Sequence, residues 1–340
     1  MSAAVSEKVI FIVGNSRSGT TMMRRVLGNH PYIYMLEELH FFEQLWSTED
    51  KTNAISKESA ITLASKLLFI QRDGYLSQMN ANKHAVDAKK IVDTITEPIY
   101  PHAVLNGFLF FETQQHGKSI PCEKTPQDVF YIAEILELFP GAKIVNMVRD
   151  PRGVMLSQKR KWQRRKMGAG FMTKKEQRRL KINYHPITIS KLWNSSIRAA
   201  ARFKDHPKVH NMIFERMVND SETEIKALCH FLEIDFTPDM LMIPQVGSSN
   251  EADKPDAFGI KTERAGNWEK GGLNKGEIYF CQQICGTYME QYGYEVKKIS
   301  ANPLIIAYYY ISFPVKIALA LLFNLHRMKN IGEAIKRRLK

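Results

Sequence analysis

Gly14-Asn-Ser-Arg-Ser-Gly-Thr-Thr21 is a run of residues suited to holding an anion. Glycines at 14 and 19 let a backbone turn tightly and approach a charged group closely. The N–H groups of such a loop, and of a helix that follows it, converge on the anion. An ATPase phosphate loop reads G-x-x-x-x-G-K-[ST]. Here Thr20 stands where that Lys would be. The Lys serves the β- and γ-phosphates, so its replacement argues against ATP hydrolysis. Arg17 supplies a positive charge inside the loop instead. The bland reading is a tight turn between a strand and a helix.

A second constellation is Val148-Arg-Asp-Pro-Arg-Gly-Val-Met-Leu-Ser157. It puts Arg149 at the end of an apolar run and Ser157 eight positions later. Asp150 and Pro151 open a helix between them, as N-cap and first-turn residue. Arg offers a two-pronged fork of donors, and Ser a hydroxyl two turns along the helix. Three shorter motifs complete the set: Glu37-Glu38 after His30-Pro31, Glu123-Lys-Thr-Pro126, and Lys261-Thr-Glu-Arg264 followed by Trp268.

This ordered set, over roughly residues 8 to 290, resembles the sulfotransferases that use 3′-phosphoadenosine 5′-phosphosulfate (PAPS), on the tyrosylprotein and carbohydrate branch. Phe214-Glu-Arg-Met-Val218 and Leu228-Cys-His-Phe-Leu-Glu-Ile234 resemble its late strand–helix element. The resemblance implies that Arg17, Ser18, Gly19, Thr20 and Thr21 hold the 5′-phosphosulfate. Arg149 and Ser157 would hold the 3′-phosphate, Glu38 would be the general base, and Lys124 would contact the transferring group. Lys261 and Arg264 would lie in the loop closing over the nucleotide. Phe214 stands where many relatives carry Tyr, which removes a hydroxyl, and the closing loop lacks a clean glycine-rich form.

The implied reaction is an in-line displacement at sulfur that needs no metal. The acceptor is a hydroxyl of a sugar, lipid or peptide. Cations and N–H donors aimed at the leaving oxygen would stabilise the transition state. Glu37 is the rival base; His40 and His102 are further candidates that match no motif. Two other classes compete: a kinase-like P-loop nucleotide binder dependent on ATP and magnesium, and a non-catalytic anion-binding module that docks on membranes.

The elements that must position these residues can be read from apolar patterning. Val9–Val13, Lys143–Val148 and Val209–Phe214 are buried-strand runs, and Ser119–Cys122 is a shorter one. Helices are expected over Ser18–Gly28, Glu37–Trp46, Lys57–Arg72, His102–His116, Gln127–Phe139, Ile187–Lys204 and Glu222–Leu232. Residues 73–94 read as a surface excursion. The alternation predicts an α/β fold: a P-loop-type parallel β-sheet flanked by helices on both faces, with a C-terminal apolar helical extension. Residues 1–299 would form the catalytic domain and residues 300–340 a tail.

The 340 residues carry a formal net charge of +13, which suits an anionic ligand or an anionic membrane. Four cysteines, at 122, 229, 281 and 285, show no zinc spacing and no disulfide framework, as in a reducing compartment. Residues 1–8 hold no apolar signal core, so a cytosolic location is expected. The basic stretch 159–181 reads as a flap over an anionic acceptor, a membrane-contacting loop, or a solvated charged loop; it lacks the interleaved aromatics of a nucleic-acid surface. Pro303–Leu325 is apolar and long enough to cross a bilayer. A full span would carry its basic flank to the outer side, against the positive-inside tendency. An interfacial helix or a hairpin kinked at Pro314 avoids that.

Overall fold

A computed structural model of the chain describes residues 8–74, 83–167 and 172–324. Its centre is β1 (Val9–Gly14), every residue of which is buried. Successive side chains on a strand point to opposite faces. Val9, Phe11 and Val13 therefore enter one core layer, and Ile10 and Ile12 the other.

After β1 the chain forms α1 (Thr20–Gly28), then β2 (Ile33–Met35). Three helices follow: α2 (Lys57–Asp73), α3 (Ala85–Asp93) and α4 (Pro101–Gln115). β3 (Ile120–Glu123), α5 (Ile132–Leu138) and β4 (Ala142–Val148) lead to α6 (Pro151–Arg160), α7 (Lys174–Asn183) and α8 (Pro186–Ala201). β5 (Val209–Ile213) is followed by α9 (Phe214–Asn219) and α10 (Ser221–Leu232). The five strands are parallel in the order β2-β3-β1-β4-β5. Helices α2–α5 cover the Phe11 face, and α1, α9 and α10 the Ile10 face. A short antiparallel ribbon, β6 (Pro244–Gln245) with β7 (Lys254–Phe258), precedes α11 (Lys275–Gln291) and α12 (Pro303–Asn324).

Open parallel sheets bind ligands at the carboxyl ends of their strands, where the strand order reverses. Here that place is the ends of β1 and β4: Gly14 pairs with Met147, two residues before Arg149. A Cβ on Gly14 would lie 2.5 Å from the Met147 carbonyl oxygen, so the adjoining backbone tolerates only glycine. Asp150 caps α6 by accepting from the Arg152 N–H at 2.8 Å. Trp193 of α8 donates its indole N–H to the Arg149 carbonyl at 2.9 Å, which anchors the strand end.

Four expectations are corrected. The helix expected over Glu37–Trp46 is an extended segment followed by one wide turn, Phe41–Leu45. The Leu36 N–H bonds the Cys122 carbonyl at 2.9 Å, which continues the β2–β3 pairing, and His40 takes a left-handed φ of 51°. The excursion at 73–94 contains α3, whose Ala88, Ile91 and Val92 are buried against α2; residues 75–82 lie outside the described residues. The Gln127–Phe139 helix divides into a 3-10 turn, Pro126–Tyr131, and α5. The basic stretch is structured as a 3-10 turn, Lys161–Met167, and α7, apart from residues 168–171 outside the description. The segment before Lys8 and residues 325–340 also lie outside it.

Candidate active site

The loop after β1 ends on Gly19, whose φ of 101° no L-residue adopts without strain. A Cβ there would meet the Phe214 ring at 2.5 Å. Helix α1 starts on this glycine with no side-chain cap. Its first N–H groups therefore face the space in front of the loop, where the helix dipole favours negative charge. That space is a cavity of about 260 Å³ whose wall includes Arg17, Gly19, Thr20 and Thr21.

Among the described residues, the wall carries five cationic side chains, Arg17, Arg25, Arg149, Lys161 and Arg264, against one carboxylate, Glu38. Arg17 donates through Nε to Ser157 Oγ at 2.9 Å and through Nη2 to Ser249 Oγ at 2.7 Å. Arg149 is buried and lies 4.2 Å over the face of Phe214. The Tyr-to-Phe departure thus keeps a ring under the guanidinium. Arg149 donates to the Arg17 carbonyl at 3.2 Å; its buried Nε, 4.0 Å from Glu215, has no hydrogen-bond acceptor among the described residues. Ser18 Oγ is also buried without a partner.

Crowding these cations costs free energy. Burial, with Arg149 and Arg164 nearby, pushes Arg17 down to about 10. Burial, with Arg17 and Arg179, pushes Lys161 down to about 8. Burial also lowers Arg149, and burial with Arg264 lowers Arg25. A polyanion in the cavity would repay that cost by pairing with the cations. The wall therefore suits a ligand that carries several negative charges.

At the other end, Lys124 donates its Nζ to Glu38 Oε1. Lys124 is buried, and the Glu38 side chain is 40% exposed and lines the cavity. Glu37 turns the opposite way, paired with Arg24 and about half exposed. Geometry thus separates the two rival carboxylates. The ring of His40 stands 3.6 Å from Glu38 Oε2 and 3.4 Å from Glu43. His102 lies on α4, stacked on Tyr100 and outside the cavity wall.

Behind Lys124 sits a buried acid pair that the motifs do not announce, Glu123 and Asp128. Burial raises both, and Glu123 opposes ionisation of Asp128. Glu123 accepts from the Thr125 hydroxyl and, at 3.3 Å, from the Leu39 N–H. A carboxyl raised in the folded state binds its proton more tightly there than in the unfolded chain. Stability is therefore held below the ordinary carboxylate range and is lost as pH rises through the folded value. Glu123→Gln should flatten that decline between pH 5 and 8, by about 1–2 kcal/mol at the alkaline end. Denaturant midpoints across that range test it; a slope equal to the parent's would exclude a titrating Glu123.

Of the site residues expected from sequence, Arg17, Gly19, Thr20, Thr21, Arg149, Ser157, Arg264 and Glu38 meet at one cavity. Ser18 lies buried in the loop, and Lys124 reaches the cavity through Glu38. Lys261 stands outside the wall, 3.6 Å from Glu251. Sequence reading missed Arg25, Lys161 and the Val246–Asn250 loop. Arg25 follows Thr21 by four residues and Lys161 follows Ser157 by four, so helical spacing could have flagged both. Nothing local marks the loop.

The model of the sulfotransferase family matches residues 9–238, most of the chain. The chain belongs to the sulfotransferase family. A Caenorhabditis briggsae protein provisionally named a protein-tyrosine sulfotransferase is 24% identical over 241 residues, 69% of this chain and 69% of its own. Protein-tyrosine sulfotransferase 1 of Mus musculus is 28% identical over 146 residues, 42% of this sulfotransferase and only 32% of the mouse protein. The sulfotransferase domain of the Synechococcus PCC 7002 olefin synthase aligns with a TM-score of 0.52 at 18% identity, over 85% of this chain and 96% of its own. That likeness is one of fold.

Proposed function

We propose that this sulfotransferase uses PAPS to sulfate a hydroxyl, with Glu38 as general base. One observation carries the reading: a cavity at the ends of β1 and β4 gathers five cations and one carboxylate, and that carboxylate bonds Lys124. PAPS, when bound, supplies an activated sulfuryl group on a phosphate leaving group. The loop N–H groups, Arg17, Thr20 and Thr21 hold the 5′ end. Arg149, Ser157 and Lys161 hold the 3′-phosphate. Glu38 takes the proton of the acceptor hydroxyl at its exposed carboxylate. Lys124, pinned beside it, offers a cation to the oxygens that gain charge. Relatives named for protein tyrosine favour a peptide hydroxyl as acceptor.

Thermal unfolding with added nucleotide tests the reading against a kinase-like one. Adenosine 3′,5′-bisphosphate should raise the midpoint; a ligand at a hundred times its Kd stabilises by about 2.7 kcal/mol. ATP with magnesium should have little effect. Stabilisation by ATP alone would overturn the proposal.

A further inference from the structure

Helix α12 has 22 residues, none acidic, and Lys316 as its lone cation. It runs unbroken through Pro314, so the hairpin break considered from sequence does not occur. One face is fastened to the domain. Near its start, Tyr309 packs on Phe280 and Ile187, and Asn274 donates to its hydroxyl at 2.9 Å. At its end, Asn324 accepts from Arg179 of α7 at 2.5 Å and donates to Asn183 at 2.9 Å. A helix crossing the bilayer must leave its domain over about 30 Å of hydrocarbon; this one is tied at both ends.

The opposite face is left uncovered by the described residues. Leu304, Tyr308, Ile311, Val315, Leu319 and Leu322 are all exposed, from 37% to 78%. Their spacing of three or four residues lays them in one stripe along the whole helix. Uncovered stripes of that length mark interaction surfaces.

Charge identifies what covers it. Helix α7 packs beside α12 and exposes Lys174, Lys175, Arg178 and Lys181. Its Glu176 is held by Arg179. The chain leaving α12 continues into residues 325–340, whose sequence holds six Lys or Arg and one Glu. A second copy of the chain on this stripe would set one basic rim against another.

We propose that α12 lies in the plane of an anionic phospholipid bilayer, with its stripe among the acyl chains and the α7 cations on the headgroups. This is a monotopic surface anchor. It stands apart from the sulfotransfer reading, and the two can fail separately.

Co-sedimentation of the full chain with vesicles tests the proposal. Vesicles of phosphatidylcholine with phosphatidylglycerol should bind at least about tenfold tighter than phosphatidylcholine alone, and added salt should reduce the difference. Ile311→Glu with Leu322→Glu should abolish binding to both. Lys174→Glu with Lys175→Glu and Arg178→Glu should remove the anionic preference, at about fivefold per cation. Both variants should keep the parent's unfolding midpoint and its shift with adenosine bisphosphate, which shows that they are folded. Equal binding to both vesicles overturns the anionic surface. Retention on membranes through alkaline extraction overturns the in-plane geometry. A vesicle-inert protein that sediments as a dimer, split by Ile311→Glu, assigns the stripe to a second copy and also overturns it.

Discussion

Glu38→Gln should lower turnover by about 10²–10⁴-fold, the usual contribution of a positioned general base, and should leave affinity for adenosine 3′,5′-bisphosphate within about twofold of the parent. Gln keeps the volume and the Oε1 acceptor that receives the Lys124 Nζ–H. The ion pair becomes a hydrogen bond, and the wall keeps its shape. What disappears is the carboxylate that can accept a proton. Loss in turnover without loss in nucleotide binding is therefore the signature of chemistry rather than of misfolding. Single-turnover rates with saturating PAPS, alongside calorimetric titration with the bisphosphate, measure both. A variant with full turnover would transfer the role elsewhere, with His40, 3.6 Å away, the nearest candidate. Glu37→Gln is the matched control. Its side chain pairs with Arg24 outside the cavity wall, and turnover should change by less than about threefold.

Arg149→Met should produce the opposite pattern: affinity for the bisphosphate falls by about 10²–10³-fold, while the nucleotide-free protein unfolds at the same temperature or higher. Two consequences of burial combine here. The guanidinium is buried with an Nε that has no acceptor, and burial lowers its proton affinity, the mark of a charge held at a cost. Glu215 stands 4.0 Å from that Nε, and burial already raises its carboxyl, so once the guanidinium is gone it can take up a proton rather than stay as a buried unpaired charge. Met can lie on the Phe214 ring where the guanidinium now sits. The bisphosphate, by contrast, loses a fork of charge-assisted donors in a desolvated site, a loss typically worth about 2–5 kcal/mol. Isothermal titration and an unfolding curve without ligand read the two effects. Unchanged affinity would remove Arg149 from the nucleotide site. A large fall in stability would make it a structural residue of the β4 end.

Function and stability thus pull apart at this cavity. The chain gathers five cations that repel one another and keeps them in place by packing behind them. The left-handed Arg17 and His40, at φ 75° and 51°, are strained at the same place. Such strain persists where the surrounding structure over-determines the backbone, and it concentrates at working sites.

The sheet was legible because β1 is a fully buried run, β4 is one but for Lys143, and β5 is buried at Val209, Met212 and Ile213, a pattern local to each run. The two motif ends were legible for a related reason. Gly14, Gly19, Asp150 and Pro151 are residue types that the local backbone demands. β2 was invisible, since three residues carry no period and its hydrogen bonds come from β3. The segment from Glu37 to Trp46 read as a helix because its apolar residues recur at helical spacing. Pairing of Leu36 with Cys122, and the Leu39 N–H on Glu123, outweigh that preference.

The sequence alone determined the anion loop, the Arg149–Ser157 pair and the two adjacent glutamates as candidates. Tertiary structure alone decided which glutamate faces the cavity, that Arg25, Lys161 and residues 246–250 join its wall, and that α12 turns one face to the domain and one away from it. The physical reason is range. Glycine turns, caps and buried strands answer to neighbours a few residues away. The direction of a carboxylate and the meeting of distant cations depend on how separate elements pack, and short-range patterning carries no record of that.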